Sequence, residues 1–329
     1  MSLLAPTLQA FFTEHLIAQR QSSPHTVAAY RDSLKLLLVF ASEHCEKNPS
    51  RLHIADLDAP VIGAFLDHLE HNRGNAATTR NARLAAIHSL FGYAALRHPE
   101  DAAVIARVLA IPPKRRNTTL ITFLDEPEVK ALLAACDQTT WTGRRDRALF
   151  ALAAQTGLRA SELTALTSTD IHLGTGPYVN TLGKGRKQRI TPLTRTVADI
   201  LRAWLDERAQ APGDALFPTR RGTPMTRDAL ERRLAVHTRT ATTVCPTLAG
   251  KKVTPHVLRH TAAMRLLRAG VDTTVIALWL GHEKVATTAI YLHADMALKE
   301  KALARTSPDD TEPGRYRPTD TVLAFLEGL

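Results

Sequence analysis

The sequence predicts a mainly α-helical protein of two domains, the second carrying a small β-hairpin or sheet. Apolar residues recur at three- and four-residue spacing through most of the chain, as amphipathic helices require. Only residues 178–193 switch to strand-like alternation, around a glycine-rich turn. A Pro-stiffened basic stretch, Ile111-Pro-Pro-Lys-Arg-Arg-Asn117, parts two helical runs and reads as a linker. The expected layout is residues 1–110 as an N-terminal helical domain, 111–120 as linker, 121–306 as a second domain and 307–329 as a tail.

A chain of 329 residues is long enough for two cores. Its 42 Lys+Arg against 32 Asp+Glu give a formal charge of +10. That surplus favours an anionic partner, of which nucleic acid is the commonest. Cys45, Cys136 and Cys245 are scattered and form no C-x-x-C pair, which argues against a disulfide framework or a zinc site. No apolar run approaches the roughly 18 residues of a membrane span. The start of the chain lacks the basic-then-apolar pattern of a signal peptide. The expected location is a reducing cytoplasm, with no membrane partner.

In the first domain, Leu8, Phe11, Phe12 and Leu16 mark a helix over 7–20. Ser23-Pro24 is a cap followed by proline at the first helical position, and Val27, Tyr30, Leu34, Leu37 and Ala41 share one face of the helix it opens. A third helix runs from Asp58 to His71, a fourth starts near Thr78 with Leu84, Ile87, Phe91 and Ala94 inward, and a short fifth spans Glu100–Leu109. Thr78, Thr79, Arg80, Asn81 and Arg83 cluster where the fourth helix begins. Arginine and asparagine read purine edges, and a helix N-terminus favours phosphate. These residues, with Lys114, Arg115 and Arg116 of the linker, are the expected DNA contacts; the plainer alternative is a solvated basic face.

In the second domain, Asp125 caps a helix ending near Cys136, and an apolar helix from Arg144 to Gln155 is stopped by Gly157. Arg159 then stands at a tight junction before the next helix. Taken alone, it reads better as a cap on helix-end carbonyls than as a functional group. Tyr178, Asn180 and Leu182 lead into Gly183-Lys184-Gly185-Arg186-Lys187, a basic hairpin turn followed by a second strand to Leu193. Arg186 and Lys187 are further candidate DNA contacts. Helices follow over about 194–210 and 226–240, with a loop expected over 240–252. Thr254-Pro255 opens another helix, placing His256 and Arg259 on one face. Gly270 ends it, Asp272 caps a helix to Leu280, and Gly281 presents His282 on a turn. A final helix from about Lys284 carries Tyr291.

Two arginines, a lysine, two histidines and a tyrosine suit phosphodiester cleavage without a metal or other cofactor. Arginine offers a planar fork to non-bridging phosphate oxygens, and paired forks neutralise charge in the transition state. Tyrosine, with a pKa of about 10, needs a base and a positive field to attack. Histidine can move that proton, and lysine can protonate the leaving oxygen. A phosphotyrosine keeps the ester energy, so rejoining needs no ATP.

In order, T-G-L-R-A-S-E-L (156–163), G-K-G-R-K-Q-R (183–189), H-V-L-R-H (256–260), G-H (281–282) and Tyr291 nine residues on resemble the motifs of the tyrosine recombinases, the phage integrase family. S-P-H-T-V-A-A-Y (23–30) and T-T-R-N-A-R-L-A-A-I-H (78–88) resemble that family's N-terminal core-binding, SAM-like domain. The resemblance implies a two-domain, C-shaped DNA clamp in the bacterial cytosol or nucleoid. It assigns Arg159 and Arg259 as phosphate clamps, Lys184 as general acid, His256 and His282 as proton-transfer and phosphate contacts, and Tyr291 as nucleophile. Glu162 is expected to orient Arg159 from behind, the alternative being that it only caps the helix it begins, and His260 is expected to be structural. It further implies double-stranded DNA with an inverted-repeat site as partner, and a homotetramer on that DNA. A short apolar helix over 320–329 must dock to be stable and is a candidate tie between protomers.

The expected role is integrase or transposase of a mobile element. A tail longer than a minimal resolvase needs favours that role, while the short stretch ahead of residue 7, where no arm-binding domain is expected, disfavours the large phage-integrase layout. The alternatives are a Xer-type chromosome or plasmid dimer resolvase, a type IB topoisomerase, and a catalytically idle DNA-binding protein on the same fold.

Overall fold

The computed structural model describes residues 2–115, 121–183, 188–209, 213–282, 287, 288 and 291. The chain folds as two compact units that divide between residues 118 and 119. Among the described residues no helix is long and apolar enough to cross a membrane.

The first unit is helical: α1 (Leu4–Ala10), α2 (Pro24–His44), α3 (Ala59–His71), α4 (Ala77–Ala95) and α5 (Ala102–Leu109). Local chemistry starts α2 and α3. Ser23 Oγ accepts from the Thr26 N–H at 3.2 Å and Asp58 Oδ1 from that of Val61 at 3.0 Å, each with proline in the first turn. The helix expected over 7–20 instead starts at Leu4 and widens into a π-helix over Phe11–Gln19. The wider turn pairs residues five apart, so Phe11 and Leu16 both point into the core. They pack there with Leu34, Leu37, Phe65, Leu69, Ile87 and Phe91.

The second unit contains α6 (Glu126–Ala134), α7 (Trp141–Thr156), α8 (Ala160–Ala165), three strands, α9 (Arg195–Arg208), α10 (Arg227–Thr242), α11 (Pro255–Arg268) and α12 (Thr273–Leu280). Helix α7 is its axis: Ala148 to Ala154 are all buried, because α6, α9 and α11 pack around it. It begins at Trp141, three residues before the expected Arg144, because Thr140 Oγ1 caps the Gly143 N–H at 3.1 Å. Strands β1 (Ile171–His172), β2 (Tyr178–Leu182) and β3 (Gln188–Pro192) form an antiparallel sheet in that order. Strand β1 adds to the expected hairpin; two residues are too few to show a period. Helix α10 runs two residues past Thr240, and Pro246–Leu248 forms a 3₁₀ turn within the expected loop. Of the helix expected from about Lys284 only residues 287, 288 and 291 are described, and the helix expected over 320–329 lies outside the described residues.

Candidate active site

Gly157 ends α7 in the left-handed region at φ 66°. A Cβ there would stand 2.6 Å from the Leu280 side chain and 3.0 Å from Ala262, so glycine lets α7 close onto α11 and α12. Two residues on, Arg159 precedes α8 in extended conformation. Its N–H and its Nη1 donate to the two oxygens of Glu162, at 2.8 and 2.9 Å, and its Nη2 donates to the Gly281 carbonyl at 2.8 Å. Arg159 thus caps a helix-end carbonyl while Glu162 braces its backbone and guanidinium.

Arg259 reaches the same place from α11. It is buried, donating through Nη1 to the Gly157 carbonyl at 2.7 Å and through Nη2 to that of Leu280 at 2.8 Å. A third arginine joins them. Arg189 of β3 donates through Nη1 to the Leu280 carbonyl at 3.0 Å and through Nη2 to Glu162 Oε2 at 3.1 Å. Sequence reasoning gave Arg189 no role. Strand alternation would have turned Ile190 inward; the structure inverts this, with Arg189 and Thr191 inward and Ile190 64 % exposed, so the sequence offered no signal for Arg189.

The end of α12 organises all three. Gly281, at φ 66°, turns the chain so that the Leu280 and Gly281 carbonyls face the guanidinium groups, at the negative end of the helix dipole. Three guanidinium charges surround one carboxylate. Despite burial, Glu162 is held below the usual carboxylate range by the Arg159 backbone N–H and the charges of Arg189 and Arg159. Burial, then Arg159, pulls Arg259 down to about 10. A desolvated positive excess of this kind is a site for an anion. Among the described residues two of the five N–H donors of Arg159, and two of those of Arg259, are engaged.

Histidines and the tyrosine complete the cluster. Thr254 Oγ1 caps α11, and His256 sits exposed in its first turn. Partial burial, then Arg259, Arg227 and Arg159, lowers its pKa. His282 follows the α12 turn; its Nδ1 lies 2.8 Å from Thr288 Oγ1, and burial followed by Arg259 and Arg159 brings its pKa to about 4. Tyr291 is 1 % exposed, packed against Ala263, Met264, Leu267, Ile276 and Leu280. Burial raises its pKa against the opposing charge of Arg259. His260, expected to be structural, has its Nδ1 3.2 Å from the Tyr291 hydroxyl.

Five of the six expected catalytic residues therefore gather in one place. Lys184, with Arg186, Lys187 and Arg116, lies outside the described residues. In the first unit Thr78 and Thr79 are exposed on the first turn of α4, and Arg115 is exposed in the linker. Asn81 is already engaged: its amide donates to the Lys114 carbonyl at 2.8 Å and accepts from the Lys114 N–H at 2.9 Å, pinning the linker to α4. Glu70 takes Lys114 Nζ at 2.8 Å and lies 3.7 Å from Arg80 Nε. Arg83 keeps a buried Nη1 with no partner among the described residues.

Residues 122–297 match the model of the phage integrase family, and residues 10–98 match that of the phage integrase N-terminal SAM-like domain. A Sinorhizobium fredii protein named integrase/recombinase y4rC is 52% identical over 99% of this chain and 98% of its own length. Tyrosine recombinase XerC of Xanthomonas campestris is 34% identical over 86% of this chain and 83% of its own. Among solved structures, the Tn1549 transposon integrase in complex with transposon right end DNA shares the fold, with a TM-score of 0.70 at 17% identity over 93% of this chain and 99% of that one.

Proposed function

Since the chain belongs to the phage integrase family and is a tyrosine-type site-specific DNA recombinase, we propose that Tyr291 is its nucleophile and that strands are exchanged through a covalent 3′-phosphotyrosine. The observation that carries this reading is the meeting of Arg159 and Arg259 at the α12 carbonyls, beside His256, His282 and Tyr291. The two guanidinium forks clamp the non-bridging oxygens of the scissile phosphate, and their charge stabilises the pentacoordinate transition state. Tyr291 Oη attacks phosphorus, the P–O5′ bond breaks, and Lys184 protonates the leaving oxygen. His256 and His282 contact the phosphate and move protons. Glu162 aims Arg159. Reversal by an incoming 5′-hydroxyl rejoins the strand, with neither metal nor ATP required.

In this reading residues 1–110 are the core-binding domain, 111–120 the basic linker, 121–306 the catalytic domain and 307–329 a tail. Thr78, Thr79, Arg80, Arg83, Arg115, Arg116, Arg186 and Lys187 supply the DNA grip. Asn81 and Lys114, which hold one another, contribute by fixing the linker. Four protomers assemble on an inverted-repeat site, with the 320–329 helix as a tie between them. The 52% relative named integrase/recombinase favours integration or transposition of a mobile element. The XerC relative at 34% supports the second reading, a dimer resolvase.

A nicked suicide duplex, cut from DNA flanking the gene, tests the reading. Wild type is expected to trap a covalent protein–DNA adduct, in the presence of chelator, and Tyr291→Phe none. An adduct that persists in Tyr291→Phe, or that requires Mg²⁺, contradicts it. Recombination of element-end sites, as against chromosomal dimer sites, separates the two roles.

A further inference from the structure

We propose that His260 is a further catalytic residue: its Nδ1 holds the Tyr291 hydroxyl and accepts the hydroxyl proton as that oxygen attacks phosphorus. The inference rests on Tyr291 being the nucleophile.

Geometry leads to it. His260 Nδ1 is 3.2 Å from Tyr291 Oη, and both side chains are buried, at 7 and 1 % exposure. The two rings meet edge to face with centroids 5.5 Å apart. Among the described residues no other side chain hydrogen-bonds that hydroxyl. His282 lies almost parallel to the tyrosine ring at 6.4 Å, and its Nδ1 is held by Thr288. His256, one turn before His260 on α11 with ring centroids 4.2 Å apart, is exposed and makes no hydrogen bond to that hydroxyl among the described residues.

The chemistry fits a base at that position. A general base must lie within hydrogen-bond reach of the proton it takes. Only a neutral imidazole can take it, and in the DNA-free protein burial first, then His256, Arg259 and His282, keep this ring neutral; a phosphate bound beside Arg259 offsets those positive charges and makes the ring more basic. In the step, the Oη–P bond forms, the phenolic proton passes to Nδ1, the P–O5′ bond breaks, and the leaving oxygen is protonated by a separate acid. The imidazolium so formed is buried next to Arg259, so the proton returns readily to Oη when the strand is rejoined.

The experiment compares wild type, His260→Asn and His260→Phe on the nicked duplex with either an ordinary or a 5′-bridging phosphorothiolate scissile linkage. Asparagine retains a polar group near Nδ1 but cannot take a proton; phenylalanine fills the ring's space. A thiolate leaves without a proton, so that linkage removes the need for the acid. Both variants are expected to bind the duplex as wild type does and to cleave about 10²-fold more slowly or worse, the size of a general-base effect. The phosphorothiolate should not restore them, whereas it should restore Lys184→Ala. Their rates should also rise with pH through the alkaline range, as the phenol ionises unaided. Wild-type cleavage rates in both variants, rescue by the phosphorothiolate, or loss of DNA binding in both overturns the proposal. If wild type forms no adduct, the nucleophile assignment fails first.

Discussion

Arg189 and Arg259 share one acceptor, the Leu280 carbonyl, at 3.0 and 2.8 Å. A strand of the sheet and the buried Arg259 are thereby tied to a single atom at the end of α12. Arg189 also holds Glu162, which aims Arg159. Strand β3 and the Arg159–Arg259 pair are therefore braced through shared partners.

Arg189→Ala should cut that tie. The expected loss in cleavage is about 10²-fold, the scale of an approximately 1 Å misplacement of reacting groups, with DNA affinity unchanged. If the sheet's job is to deliver Lys184, a 5′-phosphorothiolate substrate should recover most of the rate. Single-turnover cleavage of the two substrates checks this.

If Arg159 and Arg259 clamp the phosphate as proposed, fork geometry matters as well as charge. Arg159→Lys and Arg259→Lys keep the charge but cannot both brace against a helix-end carbonyl and present a planar pair of donors. Each should lower the cleavage rate by about 10²–10³-fold, as loss of a transition-state oxyanion donor does. Filter binding should show the site still occupied.

Gly157 sets the depth of the junction. Gly157→Ala forces a side chain into the left-handed region, costing about 1–2 kcal/mol, and drives a Cβ to 2.6 Å from Leu280. For a unit of this size that is a fall of roughly 2–4 °C in Tm per kcal/mol. Cleavage should suffer more than stability, because the displaced Gly157 carbonyl is the Arg259 acceptor. Calorimetry beside the suicide assay measures both.

His260 and His282 titrate near 4 in the folded protein against about 6.5 unfolded. Between those values the unfolded chain binds more protons, so folded stability falls as pH drops through that window and is unaffected by these groups above it. A Tm series from pH 8 to 4.5 should be flat at first and then decline. His260→Asn should make the decline shallower.

Much of this architecture was legible because its signals are local. Ser23-Pro24, Asp58-Ala-Pro60 and Thr254-Pro255 each carry a cap and a proline within one turn, and each starts a helix where expected. Gly157 and Gly281 marked the two turns around which Arg159 and His282 are placed. What escaped depends on distant partners. The contact of His260 with Tyr291 spans 31 residues, and that of Asn81 with Lys114 spans 33. Periodicity registers neither. Arg189 escaped because a basic residue in a strand reads as solvated until the inward face is known.

The central claim is that Tyr291 becomes joined to DNA. Trapping the adduct on the nicked duplex, digesting protein and DNA, and sequencing the cross-linked peptide by mass spectrometry tests it most directly. The expected result is a nucleotide remnant on Tyr291, attached through a 3′-phosphate. A remnant on another residue, or attached through a 5′-phosphate, contradicts the account.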